Sequence, residues 1–76
     1  MQPKIYLELS FVIPEVEQEF LIAFLSSFGF EGFWEDGNSL KAYTLNTLWN
    51  ESVSSQLQEK FPGVQYTITE ILYFAT

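Results

Sequence analysis

Apolar and polar residues alternate strictly near the start of the chain. Between Lys4 and Ile13, every second residue is apolar, and these side chains would share one face of a strand: Ile5, Leu7, Leu9, Phe11 and Ile13. The residues between them, Tyr6, Glu8 and Ser10, would lie on the other face. The pattern therefore predicts a β-strand with one covered face and one open face.

A helical pattern follows this strand. Pro14 suits the first turn of a helix, because its ring fixes φ and its missing N–H would have no partner there. At about 100° per residue, one broad apolar arc forms that we expect to be buried. It contains Val16, Phe20, Leu21, Ala23, Phe24, Leu25 and Phe28. The polar side opposite it contains Glu15, Gln18, Glu19 and Ser26. Gly29 is expected to end the helix.

The second half of the chain predicts a hairpin, a helix and a last strand. Residues 30–35 and 40–45 would pair across the turn Asp36-Gly37-Asn38-Ser39. Asn50 is a suitable N-cap for a helix over residues 51–60, which Pro62-Gly63 would stop. The apolar positions of this helix are Val53, Leu57 and Phe61. Residues 65–74 are rich in Thr, Tyr and Ile and predict a fourth strand.

The order of these elements is β-α-β-β-α-β, which is the ferredoxin-like split βαβ pattern of the α+β class. With right-handed crossovers, both helices would cover one face of a four-stranded antiparallel sheet in the strand order 4-1-3-2. The chain has 76 residues, enough for one domain spanning residues 1–76. Its 47% hydrophobic and 17% charged residues are typical of a globular domain.

Charge and missing residue types exclude several classes of function. Ten acidic residues outnumber three lysines, so the formal net charge is −7, and the sequence contains no Cys, His or Arg. Cys/His zinc sites and thiolate or imidazole nucleophiles are therefore excluded. Nucleic-acid binding and binding to an anionic membrane are not expected, because both need clustered cations. A basic protein partner is compatible with this charge.

Aromatic residues suggest an interaction surface on the open face of the predicted sheet. Tyr6 and Tyr43 fall on that face, and Phe33 would join them if Glu31, Phe33 and Glu35 share it. Together with Glu8, the residues Glu31 and Glu35 would then form a charged rim around three aromatic anchors, as in protein interfaces. The alternative is that the aromatic rings only pair across strands and stabilise a thin domain.

Several short runs resemble a known family. Lys4-Ile5-Tyr6-Leu7-Glu8-Leu9, Phe28-Gly29-Phe30-Glu31, Leu40-Lys41-Ala42-Tyr43 and Leu48-Trp49-Asn50-Glu51 resemble the N-terminal domain of bacterial ribosomal protein L-eleven methyltransferases (PrmA type), particularly Bacteroidetes-like members. The resemblance implies a recognition domain for a basic large-subunit ribosomal protein. It also implies a missing methyltransferase domain in cis that would bind S-adenosylmethionine.

The sequence contains no counterpart of the catalytic domain of that family. The sequence stops at Ala75-Thr76 without a linker or a Gly-rich cofactor loop. We therefore expect a truncated, non-catalytic fragment with no catalytic, cofactor-binding or metal-binding residues of its own. Glu15 and Glu19 lie four residues apart on a helix, but an exposed first turn lacks the pocket that acid–base chemistry needs.

The alternative function is a stand-alone regulatory domain that binds an amino acid or another small ligand. Exposed edge strands and Ile22, on the polar side of the first helix, would permit a homodimer. The longest uncharged run covers the 11 residues 20–30, against about 20 for a membrane span. Without a basic and apolar leader, the chain is expected to be cytoplasmic.

Overall fold

A four-stranded antiparallel sheet and two helices form the fold. The computed structural model describes residues 3–74, so residues 1–2 and 75–76 of the predicted domain lie outside the described part. The elements in chain order are β1 (Pro3–Val12), a 3-10 turn (Glu15–Glu17), α1 (Gln18–Ser26), β2 (Gly32–Asp36), β3 (Ser39–Leu45), a second 3-10 turn (Asn46–Leu48), α2 (Glu51–Lys60) and β4 (Gln65–Phe74). The strand order β2-β3-β1-β4 confirms the predicted ferredoxin-like topology.

Strand β1 is central and supplies much of the core. It pairs antiparallel with β3 on one side and with β4 on the other. Its alternation is as predicted, because Leu7, Leu9, Phe11 and Ile13 are all buried. Leu9 lies opposite Ala42 of β3, which is also buried. The covered face of the sheet is therefore the face that carries these side chains.

Helix α2 begins and ends where the sequence predicts. The Asn50 side chain accepts a hydrogen bond from the Val53 N–H at 3.1 Å, which caps the helix. Val53 and Leu57 are buried, and Phe61 packs against the core just after the helix. Among residues 3–74, no helix has the length and apolar character needed to cross a membrane.

A two-residue turn of Gly37 and Asn38 joins β2 and β3. Asp36 pairs with Ser39, and Gly37 has a φ of +61°. Glycine at the first central position with positive φ is typical of a type II′ turn, whose twist matches that of the flanking strands. The Asn38 carbonyl accepts a hydrogen bond from the Ile13 N–H at 2.9 Å, so this turn is tied to the end of β1.

The predicted buried arc of the first helix is confirmed at Leu21 and Leu25, with Phe24 and Phe28 packed against the core, and is wrong at the other three positions. Val16 is 80% exposed, Phe20 is 63% exposed and Ala23 is exposed, whereas Gln18, Leu21 and Leu25 are buried. Ile22, predicted on the polar side, packs against the core. The physical reason is that α1 starts only at Gln18, after a 3-10 turn, and the core-facing stripe has i, i+3, i+4, i+7 spacing from that residue.

Strand β2 also differs from its prediction. It begins at Gly32 rather than Phe30, which is buried in the connection before the strand. Phe33 lies directly opposite Ala42, a residue of the covered face, and Glu35 lies opposite Leu40. Both side chains are therefore on the helix side of the sheet, because directly paired residues of neighbouring strands share a face. Trp34, 64% exposed, occupies the open face instead.

Gln18 connects three parts of the fold. Its Nε2 donates to the Ile13 carbonyl at 3.2 Å and to the Gly37 carbonyl at 2.6 Å. The side chain is only 1% exposed, and its Oε1 is buried without a hydrogen-bond partner among the described atoms. One amide thus holds the start of α1 against the end of β1 and against the β2–β3 turn.

We predict that Gln18→Leu destabilises the protein although leucine is an apolar residue of similar size. Two carbonyl oxygens would lose their donor, which is expected to lower the free energy of unfolding by about 1–3 kcal/mol. Urea denaturation measures this change. Gln58→Leu, at an exposed position of α2, is the control and should change stability by less than about 0.5 kcal/mol. A stability equal to or above that of the wild type would show that the unpartnered Oε1 outweighs the two bonds.

Candidate functional site

Two of the predicted aromatic residues, Tyr6 and Tyr43, line a cleft of about 260 Å³. We call it the tyrosine cleft. It lies where β3 ends, and its other walls come from the last residues of β3, from the start of β2 and the segment before it, and from the second 3-10 turn. Those walls are Gly29, Glu31, Gly32, Thr44, Leu45 and Leu48. The volume is slightly below the range of about 300–1,000 Å³ for drug-sized ligands, so the cleft suits a small metabolite.

A hydrogen bond between Tyr43 and Glu8 orders one wall of the cleft. The two residues pair directly across β1 and β3, and the Tyr43 hydroxyl donates to Glu8 Oε2 at 2.8 Å. This hydrogen bond raises the pKa of the Tyr43 phenol, with smaller contributions from burial and from the negative charge of Glu8. The phenol therefore keeps its proton at neutral pH and is held in one orientation.

Glycine at position 29 allows the close approach of Leu48 that forms one wall of the cleft. Gly29 has a φ of +93°, and a Cβ there would lie 2.8 Å from Leu48 Cδ1, so a side chain would displace the leucine that forms one wall. A Cβ at Gly32 would lie 3.5 Å from Tyr43 Cδ2. The Glu31 N–H donates to the Tyr43 carbonyl at 3.2 Å, which fixes the exposed Glu31 residue at the rim.

The predicted set of six surface residues is divided by the fold. Tyr6, Glu31 and Tyr43 come together at the tyrosine cleft, and Glu8 is bonded to Tyr43. The placement predicted for the other two is wrong. Phe33 packs on the helix side, with its ring stacked 6.5 Å from that of Phe30, and Glu35 lies at a different cleft. A partner-binding role for any of the six stays a prediction.

Glu35 lines an acidic cleft of about 550 Å³ at the opposite end of β2. Glu15 and Glu19, the two carboxylates four residues apart, line it too, together with Gln18 and Gly37. All three carboxylates are exposed. Within residues 3–74, no group of three or more acidic, His or Cys side chains is placed to hold a metal ion.

Sequence reasoning missed the apolar walls of the tyrosine cleft. Leu45 and Leu48 were not distinguished from core residues, because the 3-10 turn that carries Leu48 has no strong pattern of its own. The available signal was Gly29, where a side chain would displace Leu48.

Comparisons with known proteins relate the chain to one solved fold. No family model and no curated protein matches the sequence. A solved structure does match: the apo form of CPII from Thiomonas intermedia K12, a nitrogen regulatory PII-like protein. The TM-score is 0.65 and the sequence identity is 15%, and the match covers 99% of this chain and 96% of that chain. At this identity the likeness shows the fold.

This neighbour corrects the function expected from the sequence. The interpretation as a recognition domain of a ribosomal protein methyltransferase is wrong, because a structure that matches nearly the whole chain is a PII-like regulatory protein. The basic ribosomal protein and the methyltransferase domain in cis are withdrawn as partners for the same reason. The sequence resemblance itself stays an untested prediction, as does S-adenosylmethionine as the cofactor of a parent protein.

We predict that Glu8→Gln lowers the pKa of Tyr43 toward that of a free phenol, because the charged acceptor is lost. A pH titration of tyrosine ring carbons by NMR measures this pKa, and Tyr43→Phe identifies the signal. The pKa of Tyr43 is higher in the folded state than in the unfolded state, so its bond to Glu8 stabilises the fold fully below about pH 10. This stabilisation is lost as pH rises through the folded pKa. Tyr43→Phe should lack this alkaline loss. An unchanged Tyr43 pKa in Glu8→Gln would contradict the assigned cause.

Proposed function

We propose that the chain is a non-catalytic regulatory domain that binds a small metabolite with an amino group, such as an amino acid, in the tyrosine cleft. One observation carries this proposal. The fold matches, over nearly its whole length, a nitrogen regulatory PII-like protein whose structure is described as an apo form. This supports the small-ligand alternative of the sequence analysis.

The chemistry of the cleft favours an amine over an anion. Glu31 supplies a carboxylate at the rim, and an ammonium group would form a charge-assisted hydrogen bond with it. The cleft has no lysine among its described lining residues, so a phosphate, or a carboxylate without an ammonium group beside it, would lack a charged partner. Leu45 and Leu48 offer an apolar wall for the rest of the ligand.

The state of Tyr43 favours binding over catalysis. A general base or nucleophile needs a pKa near or below the working pH, whereas the Glu8 hydrogen bond raises that of the Tyr43 phenol. The protonated hydroxyl is already committed as a donor. The pair therefore acts as a rigid wall that positions a ligand, which is the role a binding domain requires.

We predict that L-leucine and isoamylamine, its decarboxylated analogue, raise the melting temperature of the protein and that ATP does not. A ligand that binds only the folded state stabilises it by about 2.7 kcal/mol at about 100 times its Kd. Differential scanning fluorimetry across a concentration series of each compound measures the shift. Stabilisation by isoamylamine alone would assign the affinity to the ammonium group, and stabilisation by leucine alone would add a requirement for the carboxylate.

Two variants locate the site. Glu31→Gln should abolish most of the shift because the ammonium loses its charged partner, whereas Glu59→Gln, an exposed carboxylate on α2, should leave the shift unchanged. Equal loss in both variants would indicate general attraction to an acidic protein rather than the tyrosine cleft. Stabilisation by ATP without any effect of the amines would overturn the proposed ligand class.

A further inference from the structure

An apolar groove runs along the outer side of the helical layer, away from the tyrosine cleft. We call it the aromatic groove, and it has a volume of about 680 Å³. Its aromatic lining residues are Phe20, Phe24, Phe28 and Phe61. The Phe24 ring lies 5.0 Å from that of Phe28 and 5.8 Å from that of Phe61, so these rings form a continuous floor. Phe20 extends this floor and is 63% exposed.

The row formed by the phenylalanines of α1 and its C-terminal extension is about as long as two turns of a docked helix. Phe20, Phe24 and Phe28 follow one another at intervals of four, so they form a row about 12 Å long on one side of α1 and its C-terminal extension. Two turns of a docked helix span about the same distance. Helix-in-groove recognition uses such a row of apolar anchors.

The charges around the groove select the partner. The helical layer, residues 15–28 and 51–61, carries five carboxylates and one lysine, a net charge of −4. The groove itself has one charge of each sign, Glu17 and Lys60, so the attraction comes from the surrounding surface of a protein whose net charge is −7. A ligand helix with basic residues beside its apolar face would meet complementary charge, which speeds and orients association.

The geometry points to the aromatic groove as a docking site for an amphipathic helix of another protein, with an apolar face flanked by lysine or arginine. A second copy of this chain would bring the same net negative layer against this one, and an anionic lipid surface would be repelled in the same way. This inference does not rest on the ligand of the tyrosine cleft, because the two surfaces share no lining residue.

The test uses a labelled 16-residue peptide of Leu, Ala and Lys with leucines at i, i+3, i+4 and i+7 positions. Fluorescence anisotropy with the full chain should show saturable binding that weakens between low and moderate salt. A peptide with Glu in place of Lys, and a scrambled peptide of the same composition, should bind at least about tenfold more weakly. Equal binding of either one would overturn the proposal.

Matched variants tie the binding to the groove. Phe20→Ser should weaken binding by about tenfold or more, as expected for an aromatic anchor. The control is Trp34→Ser, because Trp34 is 64% exposed on the other face of the sheet and should not affect the peptide. Both positions are exposed, and circular dichroism of each variant is the check that it folds. An unchanged affinity in Phe20→Ser would overturn the inference.

A further variant tests the role of charge and the other occupants. Glu17→Lys should weaken the Lys peptide and strengthen the Glu peptide, and the opposite result would contradict the charge argument. Analytical ultracentrifugation of the wild type and Phe20→Ser tests self-association. A dimer that Phe20→Ser dissociates would assign the groove to a second copy and overturn the proposed partner. If the wild type sediments with anionic vesicles and Phe20→Ser does not, the groove would be assigned to a lipid surface, which would also overturn the proposed partner.

Discussion

The register of β1 is the constraint on which the rest of the structure depends. β1 forms a ladder on both of its edges, with β3 and with β4. A shift of one residue would turn Leu9 and Phe11, both fully buried, to the open face. The same register places Glu8 opposite Tyr43, so the hydrophobic pattern that builds the core also assembles the ordered wall of the tyrosine cleft.

Helix α1 is apolar on two sides because two different requirements act on it. One side, with Leu21 and Leu25, fills the core, and the bonded Gln18 amide sets which residues turn inward. The other side, with Phe20 and Phe24, lines the aromatic groove. The periodicity of the sequence merges both stripes into one arc, which explains why the predicted buried face was too broad and included Phe20. An apolar surplus beyond the needs of the core is a feature of binding surfaces.

The sequence predicted those elements whose pattern has one interpretation. The buried positions of β1 alternate strictly, and the side chain of Asn50 caps α2 as expected. The predicted fold and strand order were therefore correct. The strand β2 was ambiguous, because Phe33 and Trp34 are adjacent aromatics and either could face the core. Phe33 pairs with Ala42 of the covered face, so Phe33 is the one that faces the core. The pattern of residues within β2 does not show this pairing with β3. The cleft was predicted only in part, since Leu48 reaches it through a turn without a sequence signal.

Three consecutive residues connect the two candidate surfaces. Phe28 lines the aromatic groove, Gly29 lines the tyrosine cleft beside Leu48, and Phe30 is buried in the core. The Gly29 N–H donates to the Ser26 carbonyl and that of Phe30 to the Leu25 carbonyl, so this segment is anchored to the end of α1. A ligand that moved Leu48 would act on the backbone that carries Phe28. Any such coupling is reciprocal. If the cleft ligand changes the affinity of the groove for its partner, then the partner changes the affinity of the cleft for its ligand by the same factor.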